Sequence, residues 1–292
     1  MFLSRFFHRK RVSSIGKMEP GRQFVFALGF CTLLAFPSWD CGSTLQNLNI
    51  IPDAQEVEMG HQFSKEIEQE VKLYKDPEVV KYVQDLGQSL VKYSQRSDIT
   101  YTIKVVDTDD VNAFALPGGF LYVNRGLIST AENESELAGV MGHEIGHVVG
   151  RHGAKQMTRQ VGLQVLTGLV TGENPGIARQ LAGQFAGLGG TLGMFKYSRD
   201  AEREADALAI QELYDAGIDP IGMATFFEKL NALHERQPSG LAALFATHPP
   251  SPERVANAKQ AIAALPKKAG LRKDSDRFRA IRKRLPAIKK KQ

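Results

Sequence analysis

Cysteine is almost missing from this chain: its 292 residues include two, Cys31 and Cys41. A C-x-x-C metal site and a disulfide scaffold are thereby excluded. Any bound metal would have to be held by histidines and carboxylates. Long apolar runs are missing too. "FVFALGFCTLLAF" runs thirteen residues without a charge, short of the ~20 that a spanning helix needs. It follows the basic residues Arg5, Arg9, Lys10 and Arg11, which is the pattern of an export signal. Met18 is an alternative start. Asp40 before Cys41 argues against lipidation there. No internal repeat is found, and nothing in the composition points to collagen or wholesale disorder.

The positive charge is uneven. The formal net charge is +5, yet the stretch from Lys267 to the end holds twelve Lys/Arg against two Asp. The basic character belongs to the C-terminus and not to a binding face of the main domain. Three parts are expected: 1–40 as signal peptide or N-terminal anchor, 41–265 as one domain, and 266–292 as a basic tail, frayed or surface-bound.

Between the ends, the pattern goes from helix to strand and back. Two helices are predicted over 53–95, the first capped by Asp53, the second by Asp76 with Pro77 at its first position. "ITYTIKVVD" alternates and is β-branched, so it reads as a strand. "NAFALPGGFLYVN" gives two short strands about Pro117-Gly118-Gly119, a hairpin. Residues 133–153 read as one helix, with Asn133 as N-cap and Glu136 three positions on. Residues 157–195, rich in Gly and Ala, predict a helical hairpin turning at "TGENPG". Helices over 199–215, 220–235 and 251–264 follow.

The helix at 133–153 carries "GVMGHEIGHVVGRH". With His143 at the origin, His147 lies about 40° and Glu144 about 100° around the helix, opposite an apolar back of Leu137, Met141, Ile145 and Val148. Gly139, Gly146 and Gly150 bare the backbone beside the histidines, so something must approach closely there. H-E-x-x-H offers two imidazoles to Zn²⁺ and a glutamate to a water. A catalytic zinc needs a third protein ligand. His152 falls on the apolar back and reads as a hydrogen-bonded core residue. In "SRDAEREADALAIQELYDAG", Glu202 and Asp206 are the two acids on the inward stripe, whereas Asp200 and Glu204 point away. Buried carboxylates need partners. Zinc for Glu202 and the free N–H of a ligand histidine for Asp206 would supply them; a salt bridge to Arg199 or Arg203 is the competing reading.

H-E-I-G-H at 143–147 and S-R-D-A-E-R-E-A-D at 198–206, with "VNAFALPGGFLYVNRGLI" at 111–128 and "THPPSPERV" at 247–255, resemble the CAAX-prenyl-protease and heat-shock-protease class of gluzincins. The resemblance runs over about residues 53–265 and is nearest to the soluble periplasmic and the mitochondrial stress-activated members. It implies an α+β fold, a mostly helical zincin-like domain with a small β-sheet whose edge strand borders the active site. It implies zinc ligands His143, His147 and Glu202, Glu144 as general base, Asp206 as partner acid or proton donor, and one Zn²⁺ per chain. Arg254, Asn112, Gly119 and Phe120 are assigned to substrate or oxyanion contact. The chain lacks the spanning helices of the prenyl proteases, which counts against prenyl-protein processing. Strand 120–124 is expected to offer an open edge to an extended substrate, which favours unfolded or misassembled polypeptides.

The function expected is a zinc metalloendopeptidase of the periplasm or cell envelope, acting in protein quality control. A zinc-bound, weakly active chaperone is the alternative. Membrane association through the N-terminus or the basic tail is an accompanying expectation, and no nucleic-acid partner is expected. His248, in "FATHPPSPERV", has three readings: loop packing, an oxyanion donor, or a fourth zinc ligand that must leave before substrate enters. The third is adopted.

Overall fold

The computed structural model describes residues 48–171, 197–234, 241–249 and 251–287. The expected signal segment and residues 172–196, which hold the rest of the expected helical hairpin and its turn, lie outside the described residues.

Helices α1 (Asp53–Glu70) and α2 (Pro77–Val91) come first. Helix α2 starts as its sequence dictates: Asp76 accepts from the N–H groups of Glu78 and Val79, and Pro77 opens the helix. Helix α1 does not. Pro52 is its N-cap, and Asp53 makes no cap bond. The Asp53 carboxylate turns instead to Arg96 and Arg151, because a charged partner holds it more strongly than a backbone N–H.

Strands β1 (Thr102–Val106), β2 (Ala113–Leu116) and β3 (Phe120–Asn124) form one sheet in the order β1-β3-β2. The hairpin β2–β3 is antiparallel, with Leu116 opposite Phe120. Gly118 and Gly119 turn it with φ of 76° and 95°, where other residues are strained. Strand β1 lies parallel on the other side of β3, with Thr102 opposite Phe120. Strand β3, expected as the open edge, is therefore the central strand. The edge strand that borders the site is β2.

Helix α3 (Arg125–Thr130) leads into α4 (Glu134–Val149), which carries the H-E-x-x-H residues. Every residue of α4 from Glu134 to Val148 is buried. It is walled by α2, by β2, and by α6 (Arg199–Asp215) and α7 (Ile221–His234). Its glycines admit these neighbours. A Cβ on Gly146 would lie 2.7 Å from the Ala205 carbonyl oxygen of α6, and one on Gly139 would lie 2.7 Å from Met223 Cα of α7. What approaches the bared backbone is thus two helices. Close packing offsets the roughly 1 kcal/mol per glycine that the helix gives up.

The remaining helices are α5 (His152–Thr171), α8 (Ala242–Thr247), α9 (Pro252–Ala264) and α10 (Asp276–Arg284). The fold is α+β: mostly helical about one small sheet. No helix among the described residues is long and apolar enough to cross a membrane.

The segment read as a frayed or surface-bound basic tail is folded onto the domain as far as residue 287. Phe278 and Ile281 are buried in the main core. Arg272 exchanges backbone hydrogen bonds with Gly217 and Asp219. The same segment caps α4. Ser135 N–H donates to the Lys273 carbonyl and Glu134 N–H to Asp274, while Asn133 accepts from Glu136 N–H. These bonds satisfy donors that a helix N-terminus leaves free. The buried Glu134 carboxylate gathers Tyr82, Arg272 and Ser275.

One buried acid has no such company. Neither oxygen of Glu212, on α6, has a partner among the described residues. Burial pushes its carboxyl from 4.5 up to about 9. Between those values the folded chain holds a proton that the unfolded chain has released, so stability falls as pH rises through that window. At about 1.4 kcal/mol per unit the penalty at pH 7 is on the order of 3 kcal/mol. Glu212→Gln is therefore expected to be more stable than wild type at pH 8 and close to it at pH 5. Urea unfolding at the two pH values checks this; equal offsets at both would contradict it.

Candidate metal centre

His143 and His147 sit one turn apart on α4 and send their Nε2 atoms to one point, 3.0 Å from each other. Helix α6, drawn in by the Gly146–Ala205 contact, brings Glu202 to the same point. One of its oxygens lies 3.4 Å from His143 Nε2 and the other 3.4 Å from His147 Nε2. His248, where α8 ends, adds Nδ1 at 3.3 Å from His143 Nε2 and 3.0 Å from Glu202 Oε1. All four side chains are buried, and one ligand atom from each lies within 4.8 Å of the others.

These residues fit a tetrahedral metal. With bonds of 2.0–2.1 Å, the edges of a zinc tetrahedron are about 3.3 Å, close to the spacings between these donors. Charge agrees. Glu144, Glu202 and Asp206 are three buried carboxylates facing one buried guanidinium, that of Arg254. With neutral rings the group carries two negative charges in excess, which a divalent cation matches. The rings respond to the same field. Burial works against a charged His143, but Asp206 and Glu202 outweigh it and lift the ring to about 9. His147 is pushed well below its ordinary value by burial. Burial works against the ionised forms of Glu202 and Asp206, yet their cationic and hydrogen-bonding neighbours hold both below the usual range.

Glu144 differs from the other two acids. Burial raises its pKa, against the pull of His248, His143 and the N–H of Ala115 in β2. Its Oε1 lies 3.4 Å from His248 Nε2 and makes no hydrogen bond among the described residues. It is placed as an acceptor, its basicity raised by burial, beside the point where the four donors converge. Val140, Phe227, Leu230 and Leu244 line an apolar cavity of about 20 Å³ with His143, Glu144 and His248. That is room for about one water.

Asp206 meets both a histidine and a guanidinium. Its Oδ1 lies 2.8 Å from His143 Nδ1. It is also gripped in a bidentate fashion by Arg254, at 2.9 and 2.7 Å. Arg254 Nη1 reaches Glu202 at 2.8 Å, and the guanidinium lies over the Phe227 ring, 4.5 Å from its centroid. The salt-bridge partner is thus Arg254, not Arg199 or Arg203. Arg254 clamps the two acids and also lines the small cavity beside Glu144 and His248.

Three other assigned residues lie in structural settings. The Asn112 carbonyl accepts from Asn124 N–H. Gly119 turns the hairpin against Thr100 and Ile99. Phe120 meets His61 edge-on, with ring centroids 6.0 Å apart. Nothing in these contacts joins them to the four-residue group.

Local pattern gave His152 as a hydrogen-bonded core residue, which it is, but missed its partner Glu204 and the ring of Tyr197. His152 Nδ1 lies 2.8 Å from His147 Nδ1, and Glu204 lies 3.2 Å beyond, at His152 Nε2. Tyr197 stacks on the His147 ring, with centroids 4.0 Å apart and planes 21° from parallel. Tyr197 immediately precedes the matched S-R-D-A-E-R-E-A-D stretch, and an aromatic there was the only signal available.

The profile of peptidase family M48 matches residues 77–262. The beta-barrel assembly-enhancing protease of Escherichia coli is 35% identical over 213 residues, covering 70% of this chain and 43% of that protein. Metalloprotease LoiP of Escherichia coli is 31% identical over 55% of this chain and 62% of its own length. The mitochondrial metalloendopeptidase OMA1 of Schizosaccharomyces pombe is 29% identical over 60% of this chain and 50% of its own. The chain spans less than half the length of the assembly-enhancing protease it matches.

Proposed function

The chain belongs to peptidase family M48, and from that premise we propose that it is a zinc endopeptidase cleaving unfolded or misassembled polypeptides of the bacterial envelope. It is an enzyme of the metallopeptidase class. The observation that carries the finer reading is the set of donor atoms from His143, His147, Glu202 and His248, spaced like the corners of one metal tetrahedron. His143, His147 and Glu202 are the ligands of the working state.

Bound zinc would supply a Lewis acid that polarises the scissile carbonyl and acidifies water at the site. The chain's own residues do the rest. Glu144 takes the proton of the attacking water and returns it to the leaving amine, a role its raised pKa suits. Asp206 and Arg254 hold His143 and Glu202 in place. Strand β2, whose Ala115 N–H already faces Glu144, offers main-chain pairing to an extended substrate. Such pairing tolerates varied side chains, which suits unfolded chains as substrates.

His248 closes the site. Its ring bridges Glu202 and Glu144, where water and carbonyl would have to enter, and the cavity beside it holds no more than about one water. It is a fourth ligand of a resting state and must swing out for turnover. If the open form is about a tenth of the population or less, His248→Ala is expected to raise hydrolysis of an unfolded protein roughly tenfold. A large loss of turnover with metal retained would make His248 an oxyanion donor and end the plug reading.

The envelope location rests on the export-like N-terminal segment and on the relative's name. Membrane association is assigned to that N-terminal segment, since the basic segment after Lys267 folds onto the domain as far as residue 287.

A further inference from the structure

The second imidazole of the site is oriented by residues that its ligand motif does not contain. If His147 turns Nε2 to the metal, its Nδ1 carries the ring proton. That N–H lies 2.8 Å from His152 Nδ1, so the acceptor there must be unprotonated. The proton of His152 then sits on Nε2, which lies 3.2 Å from a carboxylate oxygen of Glu204. One direction of donation satisfies the whole chain: His147 Nδ1–H to His152, and His152 Nε2–H to Glu204. Glu204 is half exposed, whereas both rings are buried.

Resting on the metal reading above, we infer that His152 and Glu204 are positioning residues for the ligand His147, a relay that fixes its tautomer and ring angle and strengthens it as a metal donor.

Two independent features of the backbone serve this contact. Helix α4 ends at Val149, and Arg151 takes a left-handed φ of 54°, which only glycine adopts freely. Arg151 is held there by Glu56 at 2.7 Å, by Asp53 at 2.8 Å and by the Ile51 carbonyl at 2.6 Å. The reversal at Arg151 folds His152 back beneath His147, where a continuous helix would have put it on the far face. Gly150 then leaves the space the ring needs: a Cβ there would lie 2.4 Å from His152 Nε2. A strained residue held by an ion-pair cluster needs a local reason, and delivery of this ring supplies one. The first ligand has the simpler version of the same device, with Asp206 directly on His143 Nδ1.

Outer partners of ligand histidines are typically worth 10- to 100-fold in metal affinity. The test uses the full chain and Zn²⁺ alone, titrated against a chromophoric chelator. His152→Phe keeps ring volume but removes the acceptor, and is expected to weaken Zn²⁺ about 10- to 100-fold. His152→Asn, whose amide oxygen can accept where Nδ1 did, is expected to restore affinity to within about threefold. Glu204→Ala, at the exposed end and safe for folding, is expected to weaken Zn²⁺ about three- to tenfold. With Co²⁺ at full loading, Glu204→Ala should shift the visible ligand-field bands, which a merely structural role would leave in place. Wild-type protein that binds Zn²⁺, with His152→Phe and Glu204→Ala binding as tightly, overturns the relay alone. Wild-type protein that takes up no metal overturns the metal reading and the relay with it.

Discussion

Glu144→Gln is expected to keep about one metal ion per chain and to lose peptide hydrolysis by about 10²- to 10⁴-fold, the range of a removed general base. The amide has the same shape and the site is buried, so packing is preserved. Glu144 is not among the four residues whose donors converge, so metal content should hold. Its carboxylate lies 3.4 Å from the His248 ring, beside the four-residue group, with a basicity that burial raises. Burst-free steady-state assays on an unfolded protein, alongside metal analysis of the same sample, check both halves. Full activity in a metal-loaded Glu144→Gln protein would require another base, and the two other acids beside the histidines are both engaged. Glu202 and Asp206 are both tied to Arg254 and to the histidines.

Glu202→Ala is expected to be the largest loss of metal. If some 10–16 kcal/mol of zinc binding is shared among three or four ligands, losing one weakens affinity about 10³-fold. The change also leaves Arg254 Nη1 without its 2.8 Å carboxylate partner, so Glu202→Gln belongs beside it. The amide keeps a hydrogen-bond acceptor for Arg254 and still offers zinc only a neutral oxygen. Asp200→Ala, exposed on the same helix, should bind as wild type. Competition titration decides the matter: equal affinity in Glu202→Ala and wild type would move the third ligand elsewhere, with His248 the next candidate.

The parts of the site that were legible in the sequence are those set by local geometry. Helical phase alone put His143, Glu144 and His147 on one face and turned Glu202 and Asp206 inward. The caps at Asp76 and Asn133 were local too, and so was the hairpin about Gly118 and Gly119. What escaped was fixed by distant residues. His152 was placed on the wrong face because residues 133–153 read as one helix. The break at Arg151 depends on Asp53 and Glu56, about a hundred positions away. Glu204 points outward by phase, and only the position of His152 gives it a partner. The open edge was assigned to β3 because the pairing of β1 with β3 is parallel and long-range, and a hairpin pattern says nothing about a third strand. Phe278 and Ile281, three positions apart among charges, are a thin signal. The bonds of Arg272, Lys273 and Asp274 to Gly217, Ser135 and Glu134 make that segment part of the domain. The glycines of α4 were read correctly as a place of close approach, though the visitors are helices α6 and α7 and not a ligand.

Hydrolysis of an unfolded protein by the full chain, followed before chelation, after it, and after stoichiometric Zn²⁺ is restored, tests the central claim most directly. The account expects activity to vanish with the metal and to return with about one Zn²⁺ per chain. Hydrolysis that continues unchanged in metal-free protein would contradict it.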